Sequence, residues 1–277
     1  EDQRLLLVML VKETSFLDES ETLKRYEHEL PNTTGQVRRI LVDPDQRVLY
    51  VATDTGILAY YDISDHENPR PVQQLGVVPP GKTMTGMQLL AGGISLLIAS
   101  SDGQISQWFP VRNEANQPML QRIRSFSMDR PVTSMAPEYA RKGFLAANNV
   151  GELGIFHTTA EKQVLRLSIS DQALHALAVS PRANALLAED ASGRLHFWRI
   201  DNEHPEVSWK SLWGKVWYES YPKPDYVWQS SAASNDFEPK FSLTPLAFGT
   251  LKAAFYAMLI AVPLSIMGAI YAAYFMA

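Results

Sequence analysis

The hydrophobic positions follow two rhythms along the chain. From Glu1 to about Ile200 they come in short β-type runs, many alternating one for one with polar residues. Four stretches share one pattern: Val37 to Ile63, Met84 to Val111, Val132 to Thr158 and Ala173 to Ile200. Each carries an apolar strand, a polar turn, a second apolar strand, a tight turn ending in glycine, and a third strand closing on bulky residues. The glycines fall at Gly56, Gly103, Gly151 and Gly193, a period in the forties. TDTG, SSDG, NNVG and DASG have the chemistry of a hairpin that needs positive φ. In the following strand Ile57, Ala59 and Tyr61 alternate with Leu58, Tyr60 and Asp62, which suits a sheet sandwiched between two others. The closing pairs Tyr60-Tyr61, Trp108-Phe109, Ile155-Phe156 and Phe197-Trp198 hold equivalent places and fill the gaps between sheets.

A repeat of this length with several short strands per unit is the signature of a β-propeller. The fold class predicted is mainly β: propeller blades in four full repeats and one partial, then a short amphipathic helix and connector, then a C-terminal transmembrane α-helix. The set resembles the WD-repeat type of propeller, although only the ring recurs and not the Trp-Asp pair. The partial unit is residues 1–34, with strands near Leu5 to Val11 and Leu23 to Leu30 and the charged turn SFLDESET between them. LLLVMLV is too short to span a membrane and lacks a basic flank and a cleavage site, so it reads as a strand and not a signal peptide. Rings of this kind usually hold six or seven blades, so further blades are expected before Glu1; an open array of fewer blades is the alternative. The expected domains are residues 1–200 (propeller), 201–241 (connector) and 242–277 (first membrane helix).

After Ile200 the rhythm changes. Trp209, Trp213, Trp217 and Trp228, four of the six tryptophans, lie in residues 201–240. The first three recur at i, i+4 and i+8, which predicts one face of a short helix, with Lys210 and Lys215 away from it. Beside a membrane span, such a face suits an interfacial helix at headgroup depth; packing on the last blade is the alternative. Tyr221-Pro222-Lys223-Pro224 breaks the helix, and Ser230 to Lys240 is a polar connector. From Ala253 to Ala277 no charge occurs, and ~20 apolar residues suffice to cross the ~30 Å hydrocarbon core as a helix. Pro263 predicts a kink near Leu259 to Pro263, although proline is commoner in spans than in soluble helices. The small residues Ala253, Ala254, Ala257, Ala261, Gly268 and Ala272 permit close packing with other helices. Lys252 can snorkel to the interface.

The same segment carries a family likeness. Gly249-Thr250-Leu251, Ala261-Val262-Pro263-Leu264 and Ala269-Ile270-Tyr271, in this order, resemble the first core helix of the PstC-type permease subunit of phosphate-specific ABC importers. WYESYPKPDYVWQSSAASNDFEPKFSLTPL resembles an extended proteobacterial form of that subunit, with a large extra domain before the core. The likeness covers about the last quarter of the chain, and Ser265 departs from the glycine more usual after Pro-Leu. It implies a bacterial inner-membrane protein with the propeller in the periplasm as a docking or regulatory module. Its implied partners are a second permease subunit, cytoplasmic ATPase subunits and a periplasmic phosphate-binding protein. The candidate membrane or interface residues are Trp209, Trp213, Trp217, Trp228, Gly249, Thr250 and Pro263.

Composition narrows the chemistry. A net charge of −5 without a basic cluster argues against nucleic-acid binding. Having no cysteine excludes disulfides, thiolate metal sites and cysteine nucleophiles together. The six histidines show no helical ligand spacing; His175 and His196, in one repeat, read as structural. Glu189-Asp190 before a turn glycine reads as turn chemistry, and Gly81-Lys82-Thr83 lacks the upstream glycine of a phosphate-binding loop. No catalytic, cofactor-binding or metal residue is assigned, no cofactor is expected, and the chain is read as not an enzyme. The leading expectation is the permease subunit of an ABC importer for inorganic phosphate. The alternatives are a membrane-anchored propeller scaffold for protein–protein interaction and, less favoured, a propeller enzyme.

Overall fold

A computed structural model describes residues 4–14, 21–31, 33–231 and 238–276. Strands β1 (Leu5–Thr14) and β2 (Glu21–Leu30) form an antiparallel hairpin. The first four-stranded sheet is β3 (Val37–Val42), β4 (Val48–Thr53), β5 (Ile57–Asp62) and β6 (Arg70–Gly76). The second is β7 (Met84–Leu89), β8 (Leu96–Ser100), β9 (Gln104–Arg112) and β10 (Pro118–Ser127). The third is β11 (Val132–Pro137), β12 (Gly143–Asn148), β13 (Glu152–His157) and β14 (Lys162–Ser168). The fourth has three strands, β15 (Leu174–Val179), β16 (Ala185–Asp190) and β17 (Leu195–Arg199). Each sheet is a meander of sequential antiparallel strands, the blade of a β-propeller. The repeat in the sequence shows three strands per unit, and the first three sheets add an outer fourth. Those outer strands are only partly buried and mix polar with apolar residues, so they carry no apolar run. The turn between β1 and β2 includes residues 15–20, outside the described set.

Strand alternation assigns each side chain to one of two cores. In β4, Tyr50 and Ala52 pack toward the second sheet, whereas Leu49 and Val51 pack against Leu30 of the hairpin. In β8, Leu96 and Ile98 meet the first sheet and Leu97 and Ala99 the third. In β12, Phe144 and Ala146 face the second sheet and Leu145 and Ala147 the fourth. This period of two, with both faces apolar, leaves a sheet stable only between neighbours. The end elements show it: Leu6, Val8 and Leu10 of the hairpin, and Leu187, Leu195 and Phe197 of the fourth sheet, are exposed. Of the closing pairs, the first three are buried, and Phe197 and Trp198 are not.

The four repeat glycines have φ between 76° and 85°, the left-handed turn conformation expected of them. At Gly151 space is a second reason, since a Cβ there would meet the backbone oxygen of Ser170 at 2.0 Å.

Beyond Ile200 the chain forms a short helix α1 (Trp209–Trp213), a two-residue pairing of β18 (Trp228–Gln229) with β19 (Lys240–Phe241), and a long helix α2 (Thr244–Phe275). The helix continues through Pro263 over 32 residues, about 48 Å at 1.5 Å per residue. Phe144 is wholly buried, stacked on Phe156 at 5.0 Å and edge-on to Phe126 at 5.3 Å. Phe144→Ala is expected to cost about 3–5 kcal/mol in urea unfolding, whereas Phe197→Ala, at a position 67% exposed, costs under about 1 kcal/mol. Equal losses would contradict the sandwiching of sheets.

Candidate functional site

The structure concentrates its buried charge where the described parts of the connector, residues 201–231 and 238–243, fold onto the second and third sheets. Ser208 begins α1 with a reciprocal cap: its Oγ accepts from Ser211 N at 3.0 Å while Ser211 Oγ accepts from Ser208 N at 2.9 Å. The Ser208 hydroxyl also reaches Ala160 O on the turn after β13, at 2.9 Å, and Lys210 pairs with Glu161 beside it. The helix stops at Gly214, which turns to extended backbone. The expected tryptophan face is therefore cut short: Trp209 and Trp213 lie on α1, and Trp217 lies past its end. Trp217 packs edge-on to Phe109 of the second sheet at 6.2 Å and donates from Nε1 to Tyr221 O at 2.9 Å.

Two cations from the propeller hold this segment. Arg124, on β10, has a side chain only 2% exposed. Its guanidinium donates to Gln107 Oε1 at 3.0 Å, to Trp217 O at 2.5 Å and to Glu161 Oε1 at 3.4 Å. Burial pulls its pKa below the usual arginine value, and the carboxylates of Glu161 and Glu238 oppose that shift. Lys142, before β12, donates to Ala91 O and to Glu219 Oε2, both at 2.6 Å. Arg141 adds a third grip, bonding Glu138 at 2.7 Å and Asn202 O at 2.6 Å. Buried pairs of this kind give little net stability, but breaking one is costly because the partner is left buried and charged.

The connector then hands over to α2. Leu243 N donates to Leu212 O at 2.7 Å, Ser242 N to Val227 O at 3.0 Å, and the Thr244 hydroxyl to Trp213 O at 3.3 Å. Trp209, 83% exposed, sits with Trp213 on the short helix to which this start is tied, and Trp228 stacks edge-on to Phe241 just before it. Within α2, Thr250 bonds back to Leu246 O at 2.9 Å, and Gly249 has open space around it. Gly249, Thr250 and Pro263 therefore lie on the helix, away from the buried charge.

A cavity of about 830 Å³ lies beside the clamp, lined by Tyr139, Arg141, Lys142, His157, His204 and Glu238 among others. Burial lowers the pKa of His157 to about 3, so it is neutral there. Burial also raises Glu238 to about 6, Glu219 adding to the shift and Thr159, Lys142 and Arg124 opposing it. Glu219 Oε1 and Glu238 Oε1 are shielded from solvent without a hydrogen-bond partner. Elsewhere, Asp190 accepts from Ser192 N at 3.0 Å, from Arg194 N at 3.1 Å, and contacts His196 Nε2 at 2.9 Å. That is turn chemistry. Among the described residues no group of three His, Asp or Glu side chains is placed to hold a metal.

Comparison with solved structures gives the fold. The β-propeller domain of Myceliophteria thermophila Cps50 (Swd1) matches with a TM-score of 0.54 at 17% identity, over 64% of this chain and 60% of that one. The match thus spans less than two thirds of that domain. U3-55K matches with a TM-score of 0.48 at 14% identity, over 62% and 51% of the two chains. The computationally designed Ika8 protein gives 0.49 at 12%, over 65% and 52%. No family model matches the chain, and no curated protein does. The fold is a β-propeller. That likeness does not extend to an ABC permease.

Sequence reasoning found the tryptophans but missed the clamp. Arg124 on a strand of the second sheet, Lys142 and Glu161 in loops of the third and Glu219 in the connector have no local spacing to announce them. The nearest signal is Arg124 itself, a cation on a strand between two apolar cores.

Folding raises the Glu238 pKa from 4.5 to about 6, so the native chain holds a proton that the unfolded chain releases. That stabilisation is full below about pH 4.5 and is lost as pH rises through about 6. Glu238→Gln is expected to match the parent near pH 4.5 and exceed its stability at pH 7 by about 1–2 kcal/mol, read from urea midpoints. A difference independent of pH contradicts the burial of this carboxyl.

Proposed function

We propose that this chain is a membrane-anchored propeller that acts as a scaffold for protein–protein interaction. The observation that carries the reading is α2: one helix, among the described residues, that is long and apolar enough to cross a membrane, with none of its residues buried. Its single charge, Lys252, lies near its start, where the side chain can reach the interface. Burying so much apolar surface needs lipid or other membrane helices. The exposed Trp209, Trp213 and Trp228 near that start suit the headgroup zone, where indoles concentrate. The sheets supply a rigid body with many loops, a form suited to binding a partner.

A second, finer reading makes α2 the first helix of a permease core in an ABC importer for phosphate. It rests on the resemblance of Gly249-Thr250-Leu251, Ala261-Val262-Pro263-Leu264 and Ala269-Ile270-Tyr271 to that family. It is supported by the exposed small residues Gly249, Ala253, Ala257 and Ala261, spaced to let another helix approach. The bacterial inner membrane, the periplasmic side and the transporter partners belong to this reading.

Alkaline extraction of membranes from expressing cells tests the anchor. The full chain is expected in the pellet and a version ending at Leu243 in the supernatant; release of the full chain would overturn the anchor. Phosphate uptake that depends on α2 favours the permease reading, and unchanged uptake favours the scaffold.

A further inference from the structure

We propose that the root of α2 carries a binding surface for anionic phospholipid, with Lys215 and Lys252 on headgroup phosphates and Trp213, Tyr226 and Trp228 among the headgroups. The proposal names the lipid partner of the membrane-anchored reading and rests on that reading.

Distances along α2 set the level of this surface. Lys252 follows Thr244 by about 12 Å at 1.5 Å per residue. Its ammonium stays out of hydrocarbon, so the apolar core of a bilayer begins close to it. Residues 253–275 then supply about 34 Å, enough for the ~30 Å core. Headgroup layers add about 5–7 Å on each side, which brings Thr244 to the outer edge of the near layer. Thr244 is not alone there. Its hydroxyl donates to Trp213 O, and Ser242 N beside it donates to Val227 O. The segments that carry Trp213, Lys215, Tyr226 and Trp228 are thereby fixed at the same level, and all four side chains are exposed.

The cations of this surface are held differently from those of the sheets and α1. There, lysines pair with carboxylates: Lys12 with Glu21, Lys24 with Glu13, Lys142 with Glu219 and Lys210 with Glu161. At the root of α2 they lie over rings. Lys215 Nζ is 5.6 Å from the centroid of Tyr226, and Lys252 Nζ is 6.0 Å from that of Tyr256. A ring face orients an ammonium without neutralising it. Among the described residues neither lysine forms an ion pair with a carboxylate.

The acids nearby do not cancel this charge. Glu219 and Glu238 each keep a carboxylate oxygen shielded from solvent, and Asp225 is the exposed acid among the described residues of 213–252. Un-neutralised ammoniums bordered by indole and phenol rings meet both parts of a lipid headgroup: the charge takes the phosphate, and the rings take the layer beneath it. The chain as a whole carries −5, so its acidic body is repelled by an anionic bilayer. Attraction to such lipid therefore has to come from this root.

The test uses the full chain reconstituted in phosphatidylcholine vesicles, with spin-labelled phosphatidylglycerol or phosphatidylcholine as the probe. Electron paramagnetic resonance reads the lipid immobilised at the protein. Phosphatidylglycerol is expected to associate at least about threefold more strongly than phosphatidylcholine at low salt, and the preference shrinks as salt screens it. Lys215→Glu and Lys252→Gln are each expected to lower the preference about twofold or more, with unchanged circular dichroism. Lys82→Glu, exposed before β7 and remote in sequence from the connector, leaves it unchanged. Immobilised lipid without preference, or a preference that both root variants leave intact, overturns the proposal while the anchor stands. Absence of immobilised lipid of either kind overturns the proposal and the anchor together.

Discussion

The structure depends on one constraint: each sheet is apolar on both faces. A strand whose side chains alternate between two sides usually reserves one of them for water. Here Tyr50 and Leu49, Leu96 and Leu97, or Phe144 and Leu145 are neighbours in sequence and belong to cores on opposite sides of one sheet. Burial of apolar area at about 25 cal/mol per Å² is available only when a second sheet lies on each side. Side-by-side stacking follows, and so does the exposure at the hairpin and at the fourth sheet, where the stack stops.

The second consequence concerns charge. Over the second and third sheets the stack offers the connector mainly loops and strand ends at its rim, with Phe109 giving Trp217 an apolar contact. The connector is held there by polar groups: Arg124 on the Trp217 carbonyl, Lys142 on Glu219, and Ser208 with Lys210 on the turn after β13. Such contacts are directional and costly to break one-sidedly, so they specify position more than they add stability. Through Leu212 and Trp213 that position passes directly to the first residues of α2. An apolar helix is thereby tied to a rigid body and not to a slack tether.

The blades were legible because alternation and the turn glycines are local signals, repeated four times. Gly56, Gly103, Gly151 and Gly193 could be placed from sequence, and so could the apolar helix. The outer strands β6, β10 and β14 were not, since strands half covered by a neighbour carry mixed composition such as RPVQQLG. The Trp209, Trp213, Trp217 spacing suggested more helix than forms, because Gly214 ends the helix and Phe109 offers Trp217 a better place. The clamp was not legible, for its members meet only through tertiary structure: Lys142 and Glu219 are 77 residues apart, Arg124 and Trp217 93.

Absence of cysteine makes the central claim, that the clamp fixes α2 relative to the sheets, directly measurable. Spin labels at Arg122→Cys on β10 and Leu246→Cys at the start of α2, in the full chain reconstituted in lipid, report one distance by pulsed dipolar spectroscopy. The account predicts a single narrow distribution that broadens in Lys142→Met, where Glu219 loses its cation. A broad distribution in the parent, or an unchanged narrow one in Lys142→Met, would contradict it.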